Sequence, residues 1–137
     1  MHRPCFLVID REYSGSISTR KLVIETAKFN VITAYSAQES LETIDRFPHI
    51  NGIVLDAGIR DMPCNDLIAA LKARHPKMPI IVICAPGAPD CPGADHQLES
   101  FDPRRLLALL QNLQPEATAH IEARDEDLSR GHDRQID

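Results

Sequence analysis

The sequence predicts an α/β fold wound on both faces of a parallel sheet, and three observations carry that expectation. Two short apolar runs, Phe6-Leu7-Val8-Ile9-Asp10 and Gly52-Ile53-Val54-Leu55-Asp56, each end on an aspartate. A third run, Pro79-Ile80-Ile81-Val82-Ile83-Cys84, is the clearest strand in the chain. Runs of this length and branching read as strands buried on both faces. The stretches between them carry apolar residues at helical spacing, and such alternation implies parallel strands joined by right-handed crossovers.

Taken in order, Cys5–Asp10 is the first strand, followed by a helix around Ser18–Lys28 with Val23, Ile24 and Ala27 facing inward. Asn30–Tyr35 is the second strand. Ser36-Ala37-Gln38-Glu39 has the form of a capping box, with Ser at the cap and Glu three residues on. Ala37, Leu41 and Ile44 then form the inner stripe of the second helix. Ile53–Asp56 is the third strand. Cys64, Leu67, Ile68 and Leu71 mark a third helix, stopped before Pro76. After the fourth strand, Ala85–Asp95 holds Pro86, Pro89, Pro92, Gly87 and Gly93, which argues against a regular fourth helix. A short strand at Gln97–Glu99 follows. Asp102-Pro103 supplies a cap and a first-turn proline for a last helix striped by Leu106, Leu107, Leu110 and Leu113. Pro115 is expected to end it.

A chain of 137 residues suits one domain with a sizeable core. We expect that domain over residues 1–114 and a polar, mobile tail over 115–137, where large apolar residues are few. The net charge is −5 and no Lys/Arg run occurs, which speaks against nucleic acid as a partner. No stretch has membrane-spanning length and Met1-His2-Arg3-Pro4 leads straight into a strand, so a cytoplasmic protein without membrane contact is expected. Cys5, Cys64, Cys84 and Cys91 lack C-x-x-C spacing. In a reducing compartment they are expected as free thiols, with Cys5 and Cys84 in the core.

Five strands in this pattern favour the flavodoxin-like order 2-1-3-4-5, whose ligand crevice lies at the carboxyl ends of strands 1 and 3. Asp10 and Asp56 stand at those two ends and converge into one acidic pocket.

At these residues the chain resembles the receiver domain of bacterial response regulators, from Cys5 to about Leu113. In such domains an acidic pair after strand 1 and an aspartate after strand 3 hold Mg²⁺, and the latter accepts a phosphoryl group. The resemblance makes Asp56 the phosphoacceptor and Asp10 the first acid, with Asp10, Asp56 and Gly58 as the metal-holding set. Asp61 is a weaker acceptor candidate because it does not end the strand. Met62-Pro63 looks like the family's Met-Pro but lies further along, the matching places holding Ile59 and Arg60. Several positions depart from the pattern. Arg11 replaces the second acid, although Glu12 follows it. Cys84 stands at the strand-4 hydroxyl position and His96 at the switch-aromatic position. Glu99 and Ser100 stand where Lys-Pro is usual.

These exchanges predict an atypical, stand-alone receiver in phosphorelay signalling that is not an enzyme and acts through protein–protein contact. Asp56 is then an impaired acceptor. Arg11 removes an oxygen ligand and adds a positive charge, so Mg²⁺ binding is expected to be weak and no other cofactor is implied. Arg11 is read as a tethered cation forking onto Asp56 or Glu99. Glu99, joining Asp10 and Asp56 in the acidic pocket, would repel a phosphoryl group. The implied partner is a sensor histidine kinase or another signalling protein, and the face from the fourth strand to the last helix is the surface for a homodimer. The alternatives are an ordinary Mg²⁺-dependent switch rescued by Glu12, and a small flavodoxin-like enzyme or nucleotide binder. Against the latter, Arg11-Glu12-Tyr13-Ser14-Gly15 is no Gly-rich phosphate loop. A Zn²⁺ site from Cys64, Cys84, Cys91 and His96 matches no standard spacing.

Overall fold

The computed structural model describes residues 3–11, 18–84 and 91–136, with side chains through residue 128. Its strands are β1 (Cys5–Ile9), β2 (Asn30–Ala34), β3 (Gly52–Asp56), β4 (Ile80–Ile83) and β5 (His96–Leu98). They form one sheet in the order β2-β1-β3-β4-β5, and every neighbouring pair is parallel. The order and direction are those expected from the alternation of strands and helices. Every strand begins and ends within one residue of its predicted limits; β5 starts at His96 and stops before Glu99.

Period-two alternation divides the core. Leu7, Ile9, Ile53, Leu55, Ile80 and Val82 pack beneath α2 (Ala37–Arg46) and α3 (Cys64–Arg74). Phe6, Val8, Val54, Ile81 and Ile83 pack beneath α1 (Thr19–Thr26) and α4 (Pro103–Leu113). The three central strands are therefore apolar on both faces, as buried parallel strands must be.

Helix ends follow the local chemistry. Ser18 Oγ accepts from the Lys21 N–H and Ser36 Oγ from the Glu39 N–H, while the Asp102 carboxylate caps α4 through Arg104 and Arg105. α1 closes by a Schellman pair, Phe29 N–H to the Ile24 carbonyl and Lys28 N–H to the Glu25 carbonyl. That motif puts Lys28 in the left-handed region, at φ 66°.

Two expectations need correction. The segment after Pro115 is not irregular: Pro115–Ile136 forms α5. Pro115 does end α4, but it also opens α5, because a first-turn proline lacks only an N–H that would be unpaired anyway. Ala117 and Ile121, four residues apart, are buried against the α1/α4 core layer, and this apolar contact anchors the first turns. Nor are all four cysteines free: Cys64 and Cys91 are joined as a disulfide with Cα atoms 6.0 Å apart. Cys5 and Cys84 stand outside the disulfide and are half-buried rather than fully in the core, and burial pushes the Cys5 thiol up. Of the proline-rich stretch, residues 85–90 lie outside the described residues, and 91–95 contain only turns and bends.

Ile121→Ala should cost about 2–4 kcal/mol in urea unfolding, the usual range for emptying a buried site, while Leu128→Ala, at an exposed position, should change stability by less than about 0.5 kcal/mol. Equal, negligible effects would mean that α5 does not dock.

Candidate functional site

Asp56 is the last residue of β3, and Asp10 follows the last residue of β1. Ile9 pairs with Leu55, so the two aspartates come next in register on neighbouring strands. Both are buried, Asp10 completely and Asp56 to within 4%. A buried carboxylate needs partners for its charge and its lone pairs. Asp10 Oδ2 accepts a hydrogen bond from Ser18 Oγ at 2.9 Å, so the serine that caps α1 also ties that helix to the acid. Asp56 Oδ1 accepts from the Gly58 N–H at 2.7 Å, and Oδ2 accepts from Arg20 Nη2 at 3.0 Å.

Arg20 is the residue that sequence reasoning missed. It lies in the first turn of α1, its side chain is only 15% exposed, and its guanidinium stacks over the Phe101 ring at 5.0 Å from the centroid. Its Nε is buried without a hydrogen-bond acceptor. One signal was available. The first turn of α1 contains no acid and carries Arg20 and Lys21, charges that oppose the helix dipole. A cation in that position needs a compensating anion, and Asp56 supplies it.

Arg11 is a second, weaker neighbour. Its Nε lies 3.8 Å from Asp56 Oδ2 and its side chain is half exposed. Gly58 makes room for it: a Cβ there would stand 3.1 Å from Arg11 Cδ and 3.0 Å from Asp56 Oδ1. Arg11 thus turns to Asp56, one of its two expected acids, and not to Glu99.

Glu99, expected in the same pocket, stands at the surface. It is exposed and lines a surface depression with Gln97, Arg105 and Asn112, against α4. It follows the last residue of β5, and among the described residues it makes no ion pair with Arg11. Cys84, one step beyond the Asp56–Ile83 register pair, packs against the α2/α3 core layer. His96 is half-buried at the start of β5. Glu12 lies outside the described residues. The Zn²⁺ alternative has no support in the geometry, since no three His, Cys, Asp or Glu side chains group together among the described residues and Cys64 and Cys91 are bonded to each other.

Asp61 proves to be a cap. Its carboxylate accepts from the backbone N–H groups of Ala37 at 2.9 Å and Gln38 at 3.1 Å, where α2 starts. Desolvation pushes its pKa up, but those backbone hydrogen bonds outweigh it and hold the group below its ordinary 3.8. The loop that follows Asp56 is thereby fastened to α2.

No family model matches the chain. Solved structures similar to it are response regulator receiver domains. One from Methanospirillum hungatei has a TM-score of 0.71 at 21% identity, covering 86% of this chain and 98% of that one. The receiver domain of NtrC4 from Aquifex aeolicus has a TM-score of 0.68 at 26% identity, covering 80% and 95%. Among curated proteins, the transcriptional regulatory protein GlrR of Escherichia coli is 27% identical over 97 residues, which is 70% of this chain. Those residues span only 22% of that relative's length.

Receiver domains generally bind Mg²⁺ at this position. An octahedral ion would need several free oxygens. Here Asp56 Oδ1 is taken by Gly58 and Oδ2 by Arg20, Asp10 Oδ2 is taken by Ser18, and a guanidinium stands where a further carboxylate would help. Each of these contacts uses one lone pair of its oxygen, so the described residues offer such an ion a reduced and crowded set of donors.

Two predictions follow from these distances. A double-mutant cycle pairing Arg20→Met with Asp56→Asn should show a coupling above about 1 kcal/mol, and Arg11→Met with Asp56→Asn below about 0.5 kcal/mol, because only the first pair is buried and hydrogen-bonded. Asp61→Ala should cost about 1 kcal/mol at pH 7. A depressed carboxyl contributes stability above its unfolded pKa and loses it in acid, so the difference from wild type should vanish as pH falls below 3.8. Urea titrations at several pH values would check it.

Proposed function

We propose that this chain works as a receiver-type signalling module that answers to a sensor kinase or a similar signalling protein and acts by binding a partner. The observation that carries this reading is a buried aspartate at the carboxyl end of β3, beside a second buried aspartate on β1, in a sheet of receiver order. The relatives named as transcriptional regulatory proteins support a place upstream of gene expression.

Within that role Asp56 is an impaired phosphoacceptor. Its charge is already met from inside the protein, chiefly by Arg20. Arg11 then adds a positive charge and takes the place of a carboxylate, so Mg²⁺ is held weakly. Glu99 is assigned no part in the impairment, since its side chain is exposed and lines a depression beside α4. The enzyme and nucleotide-binder alternatives find no Gly-rich sequence after β1, and an ordinary switch would need Glu12 to supply what Arg11 does not.

A small-molecule phosphodonor with Mg²⁺ should leave wild-type protein mostly unmodified by intact mass. Arg11→Asp should speed modification at least about tenfold, since exchanging one charge near the metal position is worth more than about 1.4 kcal/mol at an effective dielectric near 20. Asp56→Asn should abolish it, and Glu99→Lys alone should change nothing. Rapid modification of the wild type would overturn the impaired reading and return the chain to the ordinary switches.

A further inference from the structure

The cysteine pair stands apart from everything above. Cys64 is the first residue of α3, and Cys91 lies in irregular chain ahead of β5. Their Cα atoms are 6.0 Å apart, well inside the span that a disulfide bridges. Cys91 is fully buried and Cys64 is 5% exposed. Both belong to the same core layer, yet neither spacing nor motif in the sequence pairs them.

The surroundings favour reversible chemistry at this pair. The residue capping α3 is Pro63, which offers no side-chain acceptor to the first-turn N–H groups. A thiolate at Cys64 would sit at the positive end of an 11-residue helix, which offsets part of the cost that its burial imposes on the charge. Among the described residues, 91–95 belong to no helix or strand, and β5 starts only at His96. Gln97 Nε2 and the Ala94 N–H donate to the Cys91 carbonyl, and Asp95 is bound to Lys72 and, through both its carboxylate and its N–H, to Ile80.

We propose that Cys64 and Cys91 form a reversible thiol–disulfide site that takes a hydroperoxide as oxidant, so that oxidation state sets how firmly the stretch before β5 is fastened to α3. In the forward step the Cys64 thiolate attacks the peroxide oxygen, giving a sulfenic acid and releasing alcohol or water. The Cys91 thiol then attacks that sulfur, the S–S bond forms, and water leaves. The two sulfurs lose two electrons and the peroxide gains them. A thiol reductant reverses the change through a mixed disulfide. The closed loop contains α3 and β4, and its near end lies eight residues beyond Asp56, so the bond stiffens one flank of the carboxyl edge. This inference does not depend on whether Asp56 accepts a phosphoryl group.

The test uses the full chain, fully reduced and then exposed to hydrogen peroxide under native conditions. Intact mass should fall by about 2 Da as two thiol hydrogens are lost, and peptide mapping should join Cys64 to Cys91, with Cys5 and Cys84 left free. The melting temperature should rise by about 10 °C on closing a loop of this length, and amide exchange over 91–95 should slow. Mild reductant should restore the starting values, and Cys5→Ala should leave the response intact. Cys64→Ala and Cys91→Ala should each abolish the shift, and the wild type, compared reduced and oxidised, serves if either fails to fold. The proposal is overturned if the reduced native protein keeps both thiols, if oxidation falls on Cys5 or Cys84 instead, or if the bond opens only after denaturation.

Discussion

One buried charge organises the carboxyl edge of this domain. Asp56 sits at the end of a central strand, almost without exposure to water, and an ionised carboxylate there is costly unless the protein answers it. The answer comes from α1 through Arg20, whose guanidinium meets Oδ2 on one side and the Phe101 ring on another. Three separate parts of the chain, the end of β3, the start of α1 and the turn before α4, are thereby held against one another. Asp10 and Ser18 repeat the same link from β1 to α1. Much of the edge is therefore arranged around neutralising carboxylates from within.

That arrangement was partly legible in the sequence. Asp10 and Asp56 could be found because each closes an apolar run, and a doubly wound sheet brings such ends together. Arg20 could not be placed by the same logic, since it lies on a helix 36 residues before its partner and its only trace is a charge of the wrong sign for a helix start. Glu99 failed for a different reason. A three-residue edge strand gives little periodicity to fix its ends, and the residue that follows it is exposed beside α4. The disulfide and α5 show the same limit from another side: both rest on contacts between segments distant in the chain, and Pro115 reads equally as a stop and as a start.

The likeness to receiver domains is strong in fold and uneven in chemistry. Strand order and helix layers agree, while the cation that meets Asp56 arrives from α1 and a guanidinium, not an acid, follows Asp10. Asp61 fastens the loop after Asp56 to α2, and the Cys64–Cys91 bond fastens the start of α3 to the stretch before β5. The loops that flank the site are thus tied down on two sides. A domain built this way is suited to presenting a set surface, with changes in its charge or its thiols as the means of altering it.

The central claim is that internal cations take the place a metal would hold at Asp56, and calorimetric titration of Mg²⁺ at low ionic strength tests it most directly. The account predicts binding in the millimolar range or weaker for the wild type, tightening when Arg11 is replaced by Asp, because that change removes a positive charge and adds an oxygen ligand. Micromolar affinity in the wild type, unchanged by that substitution, would contradict it.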